Sequence, residues 1–225
     1  EEVRWYFIVV IVSAAIITIE LCRAAAPFAT ALRDSAFQVA SIITTTGFST
    51  TDFNLWPGTC KTILVILMFV GACAGSTGGG MKVSRFVILF KTVFKELDSY
   101  IHPKRIQKLA LDSKPIDHDV VRSINVYFIT FAVIFVISLF LVSFEGNDLV
   151  TNFTAVAATI NNIGPGLELA GPTQNFGHFS AFTKYVLMFD MLAGRLELFP
   201  LLILFHPAVW KDLHTTHRNW RRRRQ

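Results

Sequence analysis

Thr44-Thr45-Thr46-Gly47-Phe48-Ser49 and, 117 positions later, Asn161-Asn162-Ile163-Gly164-Pro165-Gly166 each follow a short segment of helical character and lie between two long apolar runs. Both stretches are too short and too glycine-bearing to be helix or strand. A water-soluble protein has no need to set such a loop twice inside hydrophobic hairpins. A pore does, because backbone carbonyls turned into a narrow passage replace the water around a cation.

The composition agrees. Of 225 residues, 52% are hydrophobic and only 16% charged, and 21 are Phe; mean hydropathy is +0.50. Soluble chains are about a quarter charged. Four apolar runs are long enough to cross ~30 Å of hydrocarbon. The expected fold is therefore all-α and membrane-integral. Cys22, Cys60 and Cys73 have no framework spacing and read as free thiols. Residues 3–21 are too long for the apolar part of a cleavable signal and lack a small-residue cleavage site. The chain begins at Glu1 rather than Met and is expected to be the later part of a longer polypeptide.

Outward from the first loop, residues 3–21 form the first expected span, with Arg4 and Glu20 at its ends and Trp5 and Tyr6 suited to an interfacial belt. Residues 34–43 then make a run of about 15 Å as helix, half a bilayer. Asp34 or Ser35 is the expected cap. Such a helix re-enters rather than spans, which is tolerated only where protein or a wet cavity surrounds it. After the loop, Trp56-Pro57-Gly58 turns the chain back into a second span, residues 61–91, broken at 71–80 by five glycines. Each glycine costs roughly 1 kcal/mol against Ala in a helix, so unwinding near mid-membrane is expected, as at ion pathways.

Residues 91–122 are polar and hold seven Lys and Arg, with His102-Pro103 and Lys114-Pro115 as turns. Residues 120–144 are the third span, 145–148 a turn ending in a helix cap, and 149–160 a second half-length helix. The second loop follows, then a polar surface turn at 171–180. Residues 182–205 are the fourth span, interrupted by Gly194-Arg195 and Glu197. The order span, half-helix, loop, span thus occurs twice. It divides the chain into a pore repeat at 1–90, a cytoplasmic linker at 91–119, a second pore repeat at 120–206 and a basic tail at 207–225. Residues 145–183 contain no Lys or Arg and residues 24–60 only Arg33, so the loops are expected outside and the linker and termini in the cytoplasm.

Gly47 and Gly164 read either as ordinary turn glycines or as positions that let a carbonyl face an ion. Each half-helix ends in about half a negative charge, which favours a cation. Neither loop holds a carboxylate, against a Ca²⁺-type site and for a weakly hydrated monovalent ion. The hydroxyls and amides of Thr44, Thr45, Thr46, Ser49, Asn161 and Asn162 line the passage or, for most, brace it from behind. Residues 71–80 suggest a phosphate-cradling loop, but Gly80 is followed by Met81-Lys82-Val83-Ser84 and the pattern fails. A flexible constriction under the loops, or close helix packing, remains. Arg195 lies inside an apolar run and must face partners or water. It either pairs with Glu197 or Asp190, or projects into the pore. Arg221–Arg224 read as a topogenic tail near anionic lipid, not as a nucleic-acid site. No nucleophile–base or metal-ligand set converges, so an enzyme is not expected.

The loops, together with Gly75-Ser76-Thr77-Gly78-Gly79-Gly80-Met81-Lys82, residues 171–177 and Gly194-Arg195-Leu196-Glu197, resemble the Trk/Ktr/HKT superfamily of potassium transporters in family order. That family has four outer-helix, pore-helix, inner-helix repeats around one pore, and this chain is similar to the third and fourth. The resemblance implies half of a pseudo-tetrameric pore, completed by a missing N-terminal half with the first two repeats or by a second chain. It implies one filter wall from Thr45, Thr46, Gly47 and Phe48 and another from Asn162, Ile163, Gly164 and Pro165. K⁺ would lie at Thr45, Thr46, Gly47, Asn162, Ile163 and Gly164. Gly75, Ser76, Thr77, Gly78, Gly79 and Gly80 would form the gating loop, with Arg195 its pore-facing counterpart. It further implies a homodimer in the bacterial inner membrane, with a cytosolic TrkA-type nucleotide-binding ring. Nucleotide or NAD would enter only through that partner. Of the Thr-Val-Gly-Tyr-Gly filter of tetrameric potassium channels only the central glycine is kept in both loops, so modest K⁺ over Na⁺ discrimination is expected. The function implied is gated potassium uptake; the alternative is K⁺/H⁺ or K⁺/Na⁺ coupled transport.

Overall fold

The computed structural model describes residues 1–76, 78–102, 109–111 and 114–196, with residues 198, 200 and 203. Helix α1 is Glu2–Arg23, α2 Phe28–Ile43, α3 Gly58–Phe69, α4 Val83–Ile101, α5 His118–Ser143, α6 Leu149–Ile160 and α7 Ala181–Arg195. Among the described residues strand pairing is limited to a two-residue antiparallel ribbon, β1 Ala110–Leu111 with β2 Lys114–Pro115, and an isolated parallel bridge between Val70 and Met81. The second turn expected in the polar segment, Lys114-Pro115, thus pairs as a strand.

Helices α1 and α5 run 22 and 26 residues, with mean hydropathy 2.3 and 2.6 over their most apolar windows. Only 17% and 28% of those windows is buried. A core helix of a soluble protein would be mostly covered. Here Phe7, Ile11, Ile19, Ile129, Val136 and Phe140 stand exposed along their length, as a lipid-facing surface requires.

Two further departures from the sequence reading lie at helix ends. Helix α2 begins at Phe28, capped by Pro27 with no side-chain bond, rather than at Asp34 or Ser35. Proline's fixed φ suits the residues at a helix start, and Ser35 instead bonds Thr18 of α1 at 2.6 Å. The helix is thus 16 residues, about 24 Å. Helix α4 continues to Ile101 through the first part of the expected polar linker. By contrast α6 starts where read, with Asp148 Oδ2 accepting from Thr151 N at 3.0 Å.

The core joins two three-helix groups. Ile17 and Leu21 of α1 meet Val39, Ile42 and Ile43 of α2 and Leu64 and Met68 of α3 in one buried cluster. Phe69, at the end of α3, sets its ring edge-on against Phe131 and Phe135 of α5, at 6.3 and 5.5 Å, and lies 6.1 Å from Phe153 of α6. This aromatic contact carries packing from one group to the other. Cys22, Cys60 and Cys73 are free thiols.

Candidate functional site

Helices α2 and α6 end in the same way. Thr44, Thr45, Thr46 and Gly47 donate their amides back to Ala40, Ile42, Ser41 and Ser41. Asn161, Asn162, Ile163 and Gly164 donate theirs to Ala157, Thr159, Ala158 and Ala158. The pattern is identical, position for position. Both loops then place two residues at positive φ, Thr45 (54°) and Gly47 (77°), and Asn162 (56°) and Gly164 (109°). Glycine takes this conformation without strain; Thr does not.

The amides being used inward, the carbonyls are left. Among the described residues no donor is committed to the carbonyl oxygens of Thr45, Thr46, Gly47, Asn162, Ile163 or Gly164. A backbone oxygen left without a protein donor takes water or a cation as its partner. Phe48 differs, because its carbonyl accepts from Ser41 Oγ at 2.6 Å. The side-chain hydroxyls brace: Thr44 Oγ1 bonds Ala40 O and Thr46 Oγ1, both at 2.7 Å. Ser49 bonds Gln38 and Thr51.

The two loops touch. A Cβ on Gly47 would stand 2.0 Å from Ile163 O and 3.2 Å from Pro165 Cδ. Helix C-termini carrying partial negative charge therefore converge where the free carbonyls lie.

Beneath them is the glycine-rich break. Its ends are stitched by Gly71 N to Met81 O at 2.8 Å and Val83 N to Ala72 O at 3.3 Å. Gly79 N donates to Thr45 Oγ1 at 3.0 Å. A Cβ on Gly79 would lie 2.5 Å from Asn161 O. The break thus hangs from the first loop and presses on the second. Lys82 Nζ holds it from below, donating to Ser76 O at 2.9 Å and Gly78 O at 2.8 Å. Glu2 of α1 accepts from Ala74 N at 2.6 Å and from Ser84 N, at the start of α4, at 3.1 Å. Thr77 and Glu197 lie outside the described residues.

Helix α7 approaches the second loop from the other side. Asn162 Nδ2 donates to Met191 O at 3.1 Å, and a Cβ on Gly194 would stand 1.8 Å from Ile160 O. Gly79 and Gly194 thus back onto the same helix end. Arg195 is the exposed last residue of α7. Sequence reading singled out neither Glu2 nor Thr45 as a fastening for the break. Their partners lie 72 and 34 residues away, and no local pattern marks such a pair.

Residues 5–212 match the family described as TrkH, cation transport protein. The chain belongs to the TrkH family. It is 41% identical over 183 residues to the Trk system potassium uptake protein TrkH of Vibrio parahaemolyticus, covering 81% of this chain and 37% of that protein. It is 36% identical over 181 residues to TrkH of Escherichia coli, covering 80% and 37%. The crystal structure of the potassium transporter TrkH from Vibrio parahaemolyticus superposes with a TM-score of 0.85 at 36% identity, covering 93% of this chain and 45% of that one. The chain therefore spans about two fifths of the length of its curated TrkH relatives. TrkH proteins are membrane transporters and not enzymes, and the chain is a membrane protein with their largely helical fold.

Proposed function

We propose that the chain forms half of a gated potassium-uptake pore in the bacterial inner membrane, moving K⁺ inward down its electrochemical gradient. Residues 1–90 and 120–206 are two pore repeats, linked through the cytoplasm by 91–119 and followed by the basic tail. The carbonyls of Thr45, Thr46, Gly47, Asn162, Ile163 and Gly164 replace water around the ion, and Phe48 and Pro165 complete the two filter walls. One observation supports the reading: two loops with the same backbone hydrogen-bond pattern, each at a helix C-terminus, touch at Gly47 and Ile163, and among the described residues six of their carbonyls take no donor. The names of the matched relatives as potassium uptake proteins support the choice of ion.

The gate is the loop of Gly75, Ser76, Thr77, Gly78, Gly79 and Gly80, with Arg195 opposite. The first two repeats come from an N-terminal half, the whole acts as a homodimer, and a cytosolic TrkA-type ring supplies regulation by nucleotide or NAD. Rb⁺ and Na⁺ uptake into liposomes, with the complete protein, tests the filter. Gly47→Ser forces a side chain at φ 77° into Ile163 O and should lower the Rb⁺ over Na⁺ preference. An unchanged preference removes the filter assignment.

Coupled K⁺/H⁺ or K⁺/Na⁺ transport is the second reading. Asp190 favours it: its side chain is wholly buried, with one oxygen accepting from Ser138 Oγ at 2.6 Å and the other without a partner among the described residues. Glu20, the other acidic residue of an apolar run among the described residues, is instead paired with Arg23. Reversal potentials that shift with pH at fixed K⁺ gradient would favour coupling.

A further inference from the structure

Just past the first loop the chain makes a short 3-10 turn, Phe53–Leu55. Phe53 is wholly buried, and Asp52 Oδ1 accepts from Asn54 N at 3.0 Å. With its backbone fixed on both counts, Asn54 sends its side chain across to the segment that follows the second loop. Its Oδ1 accepts from Glu168 N at 3.0 Å, and its Nδ2 donates to Glu168 O at 3.2 Å. One side-chain amide thus engages both backbone groups of a residue 114 positions away.

Two further features belong to this clasp. Glu168 holds φ at 51°, a conformation that residues with a side chain avoid unless their surroundings impose it. Gly171 leaves the room: its φ is an ordinary −67°, yet a Cβ there would stand 2.0 Å from Asn54 Nδ2. It is glycine for space, not for conformation. Lys61 Nζ reinforces the join, donating to Asn54 O at 3.3 Å and lying 3.7 Å from the Glu168 carboxylate.

We propose that Asn54 is a positioning residue for ion selectivity. The two loops already meet at Gly47 and Ile163. The clasp, together with Thr173 Oγ1 donating to Asp52 Oδ2 at 3.3 Å beside it, supplies a second, separate region of attachment, beyond Ser49 on one strand of chain and beyond Gly166 on the other. One contact lets two loops pivot; two fix their relative orientation and so the spacing of their carbonyls. Glu168 passes its position back over a short, bonded path, since Leu167 N donates to Thr154 Oγ1 at 2.9 Å and Gly166 N to Ala170 O at 2.6 Å. This inference rests on the filter reading above.

The test is Rb⁺ and Na⁺ uptake by the complete protein in liposomes, with Gly47→Ser run alongside. Asn54→Ala removes both bonds and should lower the Rb⁺ over Na⁺ preference about three-fold or more, chiefly by admitting Na⁺. Gly171→Ala pushes the Asn54 amide out from the far side and should do the same. The double variant should fall no further than either alone, because both act on one clasp. A purely structural role would lower both fluxes together and leave their ratio unchanged. If Asn54→Ala gives no folded protein, Asn54→Asp is measured instead; it keeps the acceptor for Glu168 N and loses the donor. If Gly47→Ser shifts the ratio while the Asn54 and Gly171 variants do not, or if their effects add, the clasp inference falls and the filter stands. If none of the variants shifts it, both fall.

Discussion

At the scale of single residues, glycine serves two distinct purposes in this chain. Gly47 adopts positive φ at a loop and also lies against Ile163 O. Gly194 sits inside helix α7 and needs no special conformation. It is small because a Cβ would stand 1.8 Å from Ile160 O and 2.7 Å from Asn162 Nδ2. The carbonyl belongs to the end of α6 and cannot move without shifting the second loop. Gly194→Ala should therefore push α7 off α6, costing about 1–3 kcal/mol as overpacking does. The check is the melting temperature of the detergent-solubilised protein, with Gly58→Ala as the comparison. Gly58 opens α3 with nothing within 4 Å of its Cβ position, so that change should be close to neutral. Equal melting temperatures for the two variants would count against the packing account. The positive φ of Gly47 was legible in the sequence because a glycine after a half-helix is a local signal. The close packing of Gly194 was not, because its partner lies on another helix. Gly79 of the glycine-rich break and Gly194 of α7 both back onto the end of α6.

Among the elements, the break between α3 and α4 is the proposed gate, and its fastenings say what would have to be released for it to move. Lys82 donates to two of its carbonyls and Glu2 accepts from one of its amides. Lys82→Met removes both charge-assisted bonds while keeping the apolar stem. If the loop obstructs the pore, regulator-free Rb⁺ uptake should rise about five-fold or more; unchanged uptake would count against the loop as a constriction. The N-terminal ends of α6 and α7 are held differently, by carboxylates in the turn after α5. Glu145 accepts from Thr183 Oγ1, Ser180 Oγ and Ser180 N, and these bonds, Thr183's first, hold its carboxyl below the usual range. Asp148 is lowered in the same way, chiefly by the Thr151 hydroxyl and then by Thr151 N. Both groups take up a proton less readily folded than unfolded. Their contribution is complete above the ordinary carboxylate pKa of about 4 and is lost as pH falls through the lower folded value. Melting temperature should accordingly drop between about pH 5 and pH 3, and the paired change Glu145→Gln with Asp148→Asn should flatten that slope. A slope unaltered in the double variant would place the acid sensitivity elsewhere. These two ends also explain why α6 was legible to the residue and α2 was not. Asp148 announces α6 by a side-chain cap, whereas Pro27 starts α2 without one, and the acidic residue that looked like a cap, Asp34, lies buried within the helix.

For the molecule as a whole, the apolar runs and the spacing of the two loops were enough to read a helical membrane protein. Meeting of the loops was not written in any local pattern. It depends on Phe69 joining α3 to α5 and α6, on the Gly47–Ile163 approach and on Asn54 reaching Glu168. Those contacts set two loops beside each other but do not surround an ion. The far side of the second loop, at Asn162, Ile163 and Gly164, instead borders an open, mostly apolar cavity of about 750 Å³ whose other wall includes Tyr185, Met188 and Met191 of α7. Carbonyls on one side only leave a cation half hydrated, and a partly hydrated ion is held by neither size nor coordination number. The pore reading therefore requires more protein against that face, and the chain's share of its TrkH relatives, 37% by length, leaves room for it. The chain reconstituted alone should insert into liposomes yet give no Rb⁺ uptake in preference to Na⁺. Adding the proposed N-terminal half, with the first two repeats, as a separate chain should restore that preference, and restore it only while Gly47 is intact. Selective uptake by the chain alone would mean instead that two copies close the filter around themselves, and the same carbonyls would then be arranged with two-fold symmetry.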